Sequence, residues 1–156
     1  MKRILFVCLG NICRSSSAEE IMRTYIKQAG LEKEIEVDSA GISSYHEGER
    51  ADDRMRAHAI RRGYDITHRS RPVRTDDFYD FDLILGMDDH NVDALKEKAP
   101  DVETERKIGR MTDYCQTKVV DYVPDPYYGG DQGFENVLDI LEDACKGLLD
   151  SLTAQP

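Results

Sequence analysis

Cys8 and Arg14 are separated by Leu9, Gly10, Asn11, Ile12 and Cys13, at the point where an apolar run ends and helix-forming residues begin. That pattern predicts a strand, a tight loop and a helix start. A loop entering a helix presents unpaired backbone N–H groups and the positive end of the helix dipole, so it can hold an anion without a metal. Phosphate is the obvious anion, and Leu9 to Ser15 is the candidate phosphate-binding segment. A cysteine at the head of the loop adds a nucleophile, because the same field favours a thiolate. Arg14 adds a planar fork that can grip two phosphate oxygens at once, and Gly10 lets the backbone close under the anion. The Cys-x5-Arg spacing alone is a weak signal. Its position at a strand-to-helix switch, with a glycine inside and Ser15 directly after the arginine, makes it specific.

A thiolate that attacks phosphorus needs a partner to protonate the leaving group. Asp125 is the best candidate. It follows a strand-like segment and lies between Pro124 and Pro126, which hold the backbone near extended values and let the carboxyl be aimed at small entropic cost. Tyr127 and Tyr128 beside it could wall a slot for a flat aromatic ring.

The elements that must position these groups follow from periodicity. Arg3 to Cys8 reads as a strand. Ser16 to Gln28 reads as a helix with Ala18, Ile21, Met22, Tyr25 and Ile26 on one face, started by a capping box of Ser16 with Glu19 or Ser17 with Glu20. Glu34 to Ser39 alternates like a strand. Asp53 to Arg62, capped by Asp52 and closed by Gly63, reads as a helix with Met55, Ala59 and Ile60 facing inward. Ile66 to Val73 shows no clear period. Asp82 to Met87 reads as a strand, followed by the N-cap Asp88 and a helix that stops near Pro100. Short strands are expected at Lys107 to Gly109 and Val119 to Val123, with a helical turn at Asp113 to Gln116. A last helix runs from Phe134 to Leu149 or beyond. This alternation predicts an α/β fold: a parallel sheet of about four strands with helices on both faces, and the phosphate-binding loop after the first strand.

A length of 156 residues suits a single domain over 1–156. Four cysteines without zinc-like spacing, and an N-terminal apolar run of about five residues, predict a protein of the reducing cytoplasm, with no membrane span. A net charge of −10 argues against nucleic-acid binding. Arginines at 50, 54, 56, 61, 62, 69, 71 and 74 concentrate positive charge in one quarter of the chain. A solvated helix face and loop is the favoured reading of that run over a docking patch for acidic proteins.

The chain resembles the low-molecular-weight protein tyrosine phosphatases from about Lys2 to the last helix. Val7 to Ser15 matches that family's signature loop, and Asp125-Pro-Tyr-Tyr-Gly129 matches its general-acid loop. Asp38 to Gly41, His68 and Met87-Asp88 fall at the expected places between them. The resemblance implies hydrolysis of phosphotyrosine in protein substrates, and of small aryl phosphates, through a phosphocysteine on Cys8. Arg14 would clamp the phosphoryl group, and Asp125 would act as acid and then as base. It implies that Ser15 donates to the Cys8 sulfur, that Asn11, Ser39 and His68 hold the loop open, and that Asp88 lies near Asp125 as a second carboxylate. Tyr45 falls where the family varies and is a further candidate for the substrate slot. Ser16 replaces the family's usual proline after Arg-Ser. No metal or cofactor is implied. Inorganic phosphate would be product and competitive ligand, and the protein a monomer or weak dimer. Two rivals share the fold. Arsenate reductases need relay cysteines that the stretch from Phe78 to Asn91 lacks, and bacterial arginine phosphatases tend to carry Thr where Ile12 stands here. Cys13 is a candidate redox partner that would trap oxidised Cys8 as a disulfide; a small buried residue serving only the fold is the alternative.

Overall fold

Ile4, Leu5, Phe6, Val7 and Cys8 are all buried, so the strand they form, β1 (Lys2–Cys8), must be covered on both faces. The computed structural model describes residues 1–154, apart from the side chain of Tyr128. It places β1 inside a parallel sheet with β2 (Ile35–Gly41), β3 (Leu83–Gly86) and β4 (Ile108–Arg110), in the order β2-β1-β3-β4. On one face lie α1 (Arg14–Gln28), α2 (Asp53–Arg61) and α6 (Gly130–Thr153), where Ile4 and Phe6 meet Ile21, Met22, Met55, Leu138 and Leu141. On the other, Leu5, Val7 and Ile84 pack against Phe78 of α3 (Thr75–Asp80), Phe81, and Leu95 of α4 (Asp89–Lys98). A single turn, α5 (Val102–Glu105), precedes β4. Among the described residues no helix is long and apolar enough to cross a membrane.

From β1 the chain goes outward to β2, then returns to the opposite side of β1 for β3 and β4. The connections therefore diverge at the carboxyl end of β1, which is where open α/β sheets form a ligand crevice. Cys8 is the last residue of β1 and pairs with Gly41 at the end of β2, while Val7 pairs with Gly86 at the end of β3.

Four local expectations are corrected. α1 begins at Arg14, with Cys13 as its N-cap and no side-chain cap. Neither capping box forms, because Ser16 and Ser17 lie inside the first turn and donate back to the Cys13 carbonyl at 3.3 and 2.6 Å. A side-chain cap contributes about 1 kcal/mol. Glu19 is instead committed to a buried polar cluster, where breaking a buried ion pair costs about 3–5 kcal/mol, so the cluster outweighs the cap. Ile60 is exposed and His58 is buried in its place; five residues past Met55, Ile60 sits about 140° around the helix from it. Val119 to Val123 is not a strand: only Val123 is buried. The residues before it are held as a loop by Asp143, which accepts from the backbone N–H groups of Gln116, Thr117 and Lys118. α6 starts at Gly130, four residues before Phe134.

Candidate active site

The loop after β1 wraps around the Cys8 sulfur. The Asn11 N–H lies 3.3 Å from Sγ and the Ser15 N–H 3.5 Å. Turning the Asn11 amide inward requires a left-handed backbone there, φ 60°, which asparagine tolerates better than most residues. The Ser15 hydroxyl is 3.0 Å from the same sulfur. Asn11 Nδ2 donates to Ser15 Oγ at 2.8 Å, which leaves the hydroxyl proton for the Cys8 sulfur or for the Ala40 carbonyl 3.5 Å away.

Asn11 uses its whole amide. Nδ2 also donates to Ser39 Oγ at 3.0 Å, while Oδ1 accepts from His68 Nε2 at 2.9 Å and from the Arg71 N–H at 3.1 Å. Ser39 donates in turn to Glu19 Oε1 at 2.6 Å. His68 Nδ1 lies 3.1 Å from Glu19 and 3.4 Å from Asp38. Arg71 closes the cluster with a bidentate pair to Asp77, at 2.9 and 3.0 Å, and a bond to Asp38 at 3.0 Å. Ser39 and His68 thus stand behind the loop together with Glu19, which anchors both and carried only a capping signal in the sequence. Glu19, Asp38 and His68 bring three potential metal ligands within 4.8 Å of one another, but the two carboxylates already bond Ser39, Arg23 and Arg71, and His68 Nδ1 faces both of them. Gly41, which the sequence marked only as the end of the Asp38 to Gly41 match, supports the loop directly. A Cβ there would meet the Leu9 carbonyl oxygen at 3.0 Å and Gly10 C at 3.1 Å, so β2 can support the loop only if it carries no side chain at this point.

Arg14 is nearly buried, and its Nη1 bonds Asp88 Oδ2 at 2.7 Å and the Val123 carbonyl at 3.0 Å. Burial opposes its charge, but Cys8, the Asp88 hydrogen bond and the charges of Asp88 and Asp125 outweigh that, and its pKa is raised. Among the described residues Nε and Nη2 have no protein partner, which leaves one edge of the fork for phosphoryl oxygens. Asp88 does two jobs: Oδ1 caps α4 by accepting from the Asn91 N–H at 2.8 Å while Oδ2 holds Arg14.

Above the loop opens a cleft of about 580 Å³, lined by Cys8, Leu9, Gly10, Ile12, Cys13, Arg14, Ser43, Tyr45, His46, Asp52, Asp125 and Tyr127. Cys8 is 2% exposed, whereas Leu9, Tyr45 and Tyr127 are 55%, 85% and 61% exposed. The sulfur therefore sits at the floor and the apolar side chains at the rim. Tyr45 and Tyr127 line the cleft; the Tyr128 side chain lies outside the described residues. Asn11 and Ser15 face the cluster behind the loop, so only their backbone N–H groups are aimed at an anion. Asp125 accepts from the Tyr127 N–H at 3.0 Å and is exposed at the rim. Ser43, His46 and Asp52 were not singled out as cleft residues. Asp52 carried only a capping signal, and nothing local marked the other two. Cys8 and Cys13 are both free cysteines, in no disulfide. Burial first, and then the charges of Asp52, Cys8 and Asp125, push the Cys13 pKa far above its ordinary value.

Residues 3–156 match the family described as low molecular weight phosphotyrosine protein phosphatase. The chain belongs to that family. It is 49% identical over 150 residues, 96% of each chain, to a putative low molecular weight protein-tyrosine-phosphatase of Synechocystis. It is 37% identical over 150 residues to the human low molecular weight phosphotyrosine protein phosphatase, covering 96% of this chain and 94% of that one. Among solved structures, a protein tyrosine phosphatase of Entamoeba histolytica with Hepes in its active site superposes with a TM-score of 0.94 at 48% identity, over 97% of both chains. A Drosophila arginine phosphatase superposes with a TM-score of 0.92 at 31% identity, over the full length of both. Phosphatases of either kind thus share this fold, and Cys8 stands in the family's active-site position.

Proposed function

We propose that the protein is a protein tyrosine phosphatase that works through a phosphocysteine. The carrying observation is Cys8 Sγ at the floor of the cleft, ringed by the Asn11 N–H, the Ser15 N–H and the Ser15 hydroxyl, with Asp125 at the rim. A phosphate bound in the loop presents phosphorus to the sulfur. Its non-bridging oxygens take up the loop N–H groups and the free edge of Arg14. As the S–P bond forms and the P–O bond to the aryl group breaks, Asp125 gives its proton to the departing oxygen. Ser15 then stabilises the sulfur as leaving group when water, deprotonated by Asp125, attacks the phosphocysteine and releases inorganic phosphate. A floor-level nucleophile beneath aromatic walls suits a phosphate carried on a long, flat side chain, which favours phosphotyrosine over phosphoserine. The partners are tyrosine-phosphorylated proteins. Residues 1–156 act as one phosphatase domain, cytoplasmic, and monomeric or weakly dimeric.

The Drosophila arginine phosphatase supports a rival reading, in which phosphoarginine is the substrate. Ile12, an apolar residue lining the cleft, favours the aromatic substrate. Turnover of phosphotyrosine, phosphoserine and phosphoarginine peptides by the one purified protein decides between them. Preference for phosphotyrosine is expected, and preference for phosphoarginine would overturn the assignment. Cys13 is the proposed trap for Cys8 sulfenic acid, its thiol displacing hydroxide to give the disulfide and water. Because Cys13 is a thiol at neutral pH, it must lose its proton as it attacks.

A further inference from the structure

α2 carries Arg54 and His58 one turn apart, and Arg62 follows one turn later as the residue that closes the helix. All three face α6 or the segment before it. Arg62 meets Glu135, Asp139 and Glu142 at 2.7, 2.9 and 2.6 Å. His58 is buried, with its ring nitrogens bonded to Glu135 and Asp131. Its ring stacks on Phe134, with centroids 5.3 Å apart and planes within 10°. The Arg54 guanidinium lies 4.9 Å from the Phe134 ring and 5.5 Å from the Tyr127 ring.

The start of this helix touches the opposite side of the cleft. The Asp52 N–H donates to the Ile12 carbonyl of the phosphate loop at 2.8 Å. The Asp52 carboxylate caps α2 by accepting from the Arg54 and Met55 N–H groups, and it also lies 3.5 Å from Arg54 Nε. Arg54 is thereby fixed relative to the loop that holds Cys8. On its far side it meets Tyr127, whose own N–H fixes the Asp125 carboxylate. The chain passes from Tyr127 into α6 through Gly129 and Gly130, where no side chain braces the junction.

The geometry points to Arg54 as a positioning residue that sets the Asp125 carboxyl over the departing oxygen by bridging Tyr127 to the phosphate loop through the first turn of α2. The inference rests on the assignment of Asp125 as the acid. Contact with a guanidinium over two aromatic faces is attractive by electrostatics as well as area, and the charge is held in place by Asp52. Losing it frees the acid segment without touching the groups that bind phosphate. A residue that only stabilised the fold would lower every activity alike. A residue that aims the acid matters more as the leaving group becomes less able to depart unprotonated.

The test compares kcat/KM for phenyl phosphate and p-nitrophenyl phosphate in wild type, Arg54→Ala, Arg54→Lys and Asp125→Asn. kcat/KM is chosen because it reports the step in which the aryl oxygen leaves. Arg54→Ala is expected to lose about tenfold on phenyl phosphate and about twofold or less on p-nitrophenyl phosphate, with Arg54→Lys between it and wild type. Competitive inhibition by inorganic phosphate should not change. Equal loss on both substrates, or no loss, overturns the inference. If Arg54→Ala does not fold, Arg54→Lys carries the same comparison. A flat leaving-group response in Asp125→Asn would instead remove Asp125 as the acid, so the two failures are distinguishable.

Discussion

Around Cys8, Asn11, Ser15 and Ser39 are fully buried, and Asn11 bonds both serines in a polar cluster that Ser39 extends to Glu19. Asp125 itself is exposed, between a half-buried Pro124 and a buried Pro126, and among the described residues its carboxylate accepts from a single backbone group, the Tyr127 N–H. The two halves of one site are thus held by different means. The sulfur and the loop N–H groups must be in place before a dianion arrives, since donors that reorganise during the reaction stabilise it less. The acid must stand where a leaving group can enter and depart, so it cannot be enclosed. Its segment is braced from outside instead, by Arg54, His58 and Arg62 of α2 against Tyr127, Phe134 and the acidic residues of α6.

That contrast can be broken at either half. Cys8→Ser should abolish turnover of p-nitrophenyl phosphate, and Arg14→Lys should nearly do so, because an ammonium cannot bond Asp88 and Val123 while presenting a second edge to phosphate. Full activity in either would remove the covalent mechanism. Asp125→Asn should slow aryl phosphate hydrolysis by roughly a hundred- to ten-thousandfold while the protein keeps its thermal midpoint, since the exposed carboxylate adds little to the fold. A large drop in midpoint would mean that Asp125 is structural. Asn11→Ala should do both kinds of damage. Stability should fall by about 2–4 kcal/mol through unpaired neighbours, and kcat/KM by about a hundredfold, read by denaturant melts and steady-state kinetics. Activity retained alongside lost stability would show that the loop keeps its shape without the cluster.

Gly41→Ala sharpens the comparison by disturbing the loop from β2 alone. Its Cβ would press on Leu9 and Gly10 backbone, so a destabilisation of about 1–3 kcal/mol is expected, with a smaller kinetic loss than Asn11→Ala. An unchanged melt would show that the loop can shift freely. The smallest effect on turnover is expected from Cys13→Ser, which should work nearly normally. After peroxide it should become irreversibly inactive, whereas dithiol rescues wild type and bound phosphate protects it. Equal recovery of the two would show that Cys13 only packs.

The sequence alone carried what is local. Five residues between Cys8 and Arg14, and two prolines around Asp125, place reactive groups through backbone geometry that a few neighbouring residues fix. Apolar periodicity along the buried strands and α6 was enough to set the sheet and its layers, because burial on both faces leaves few alternatives. Ser39 and His68 came only through family resemblance. Tertiary structure decided where polar side chains turned. Glu19 and Ser16 suit a helix cap by spacing, yet Glu19 belongs to Ser39 and His68. Asp88 reads as a cap and proves also to hold Arg14, 74 residues away. Ile60 reads as core and is displaced by His58, whose partners lie on α6. A buried hydrogen-bonding group goes to whichever partner satisfies it, at a cost of about 1–3 kcal/mol if none does. That partner is set by how elements pack, which spacing along one helix does not encode.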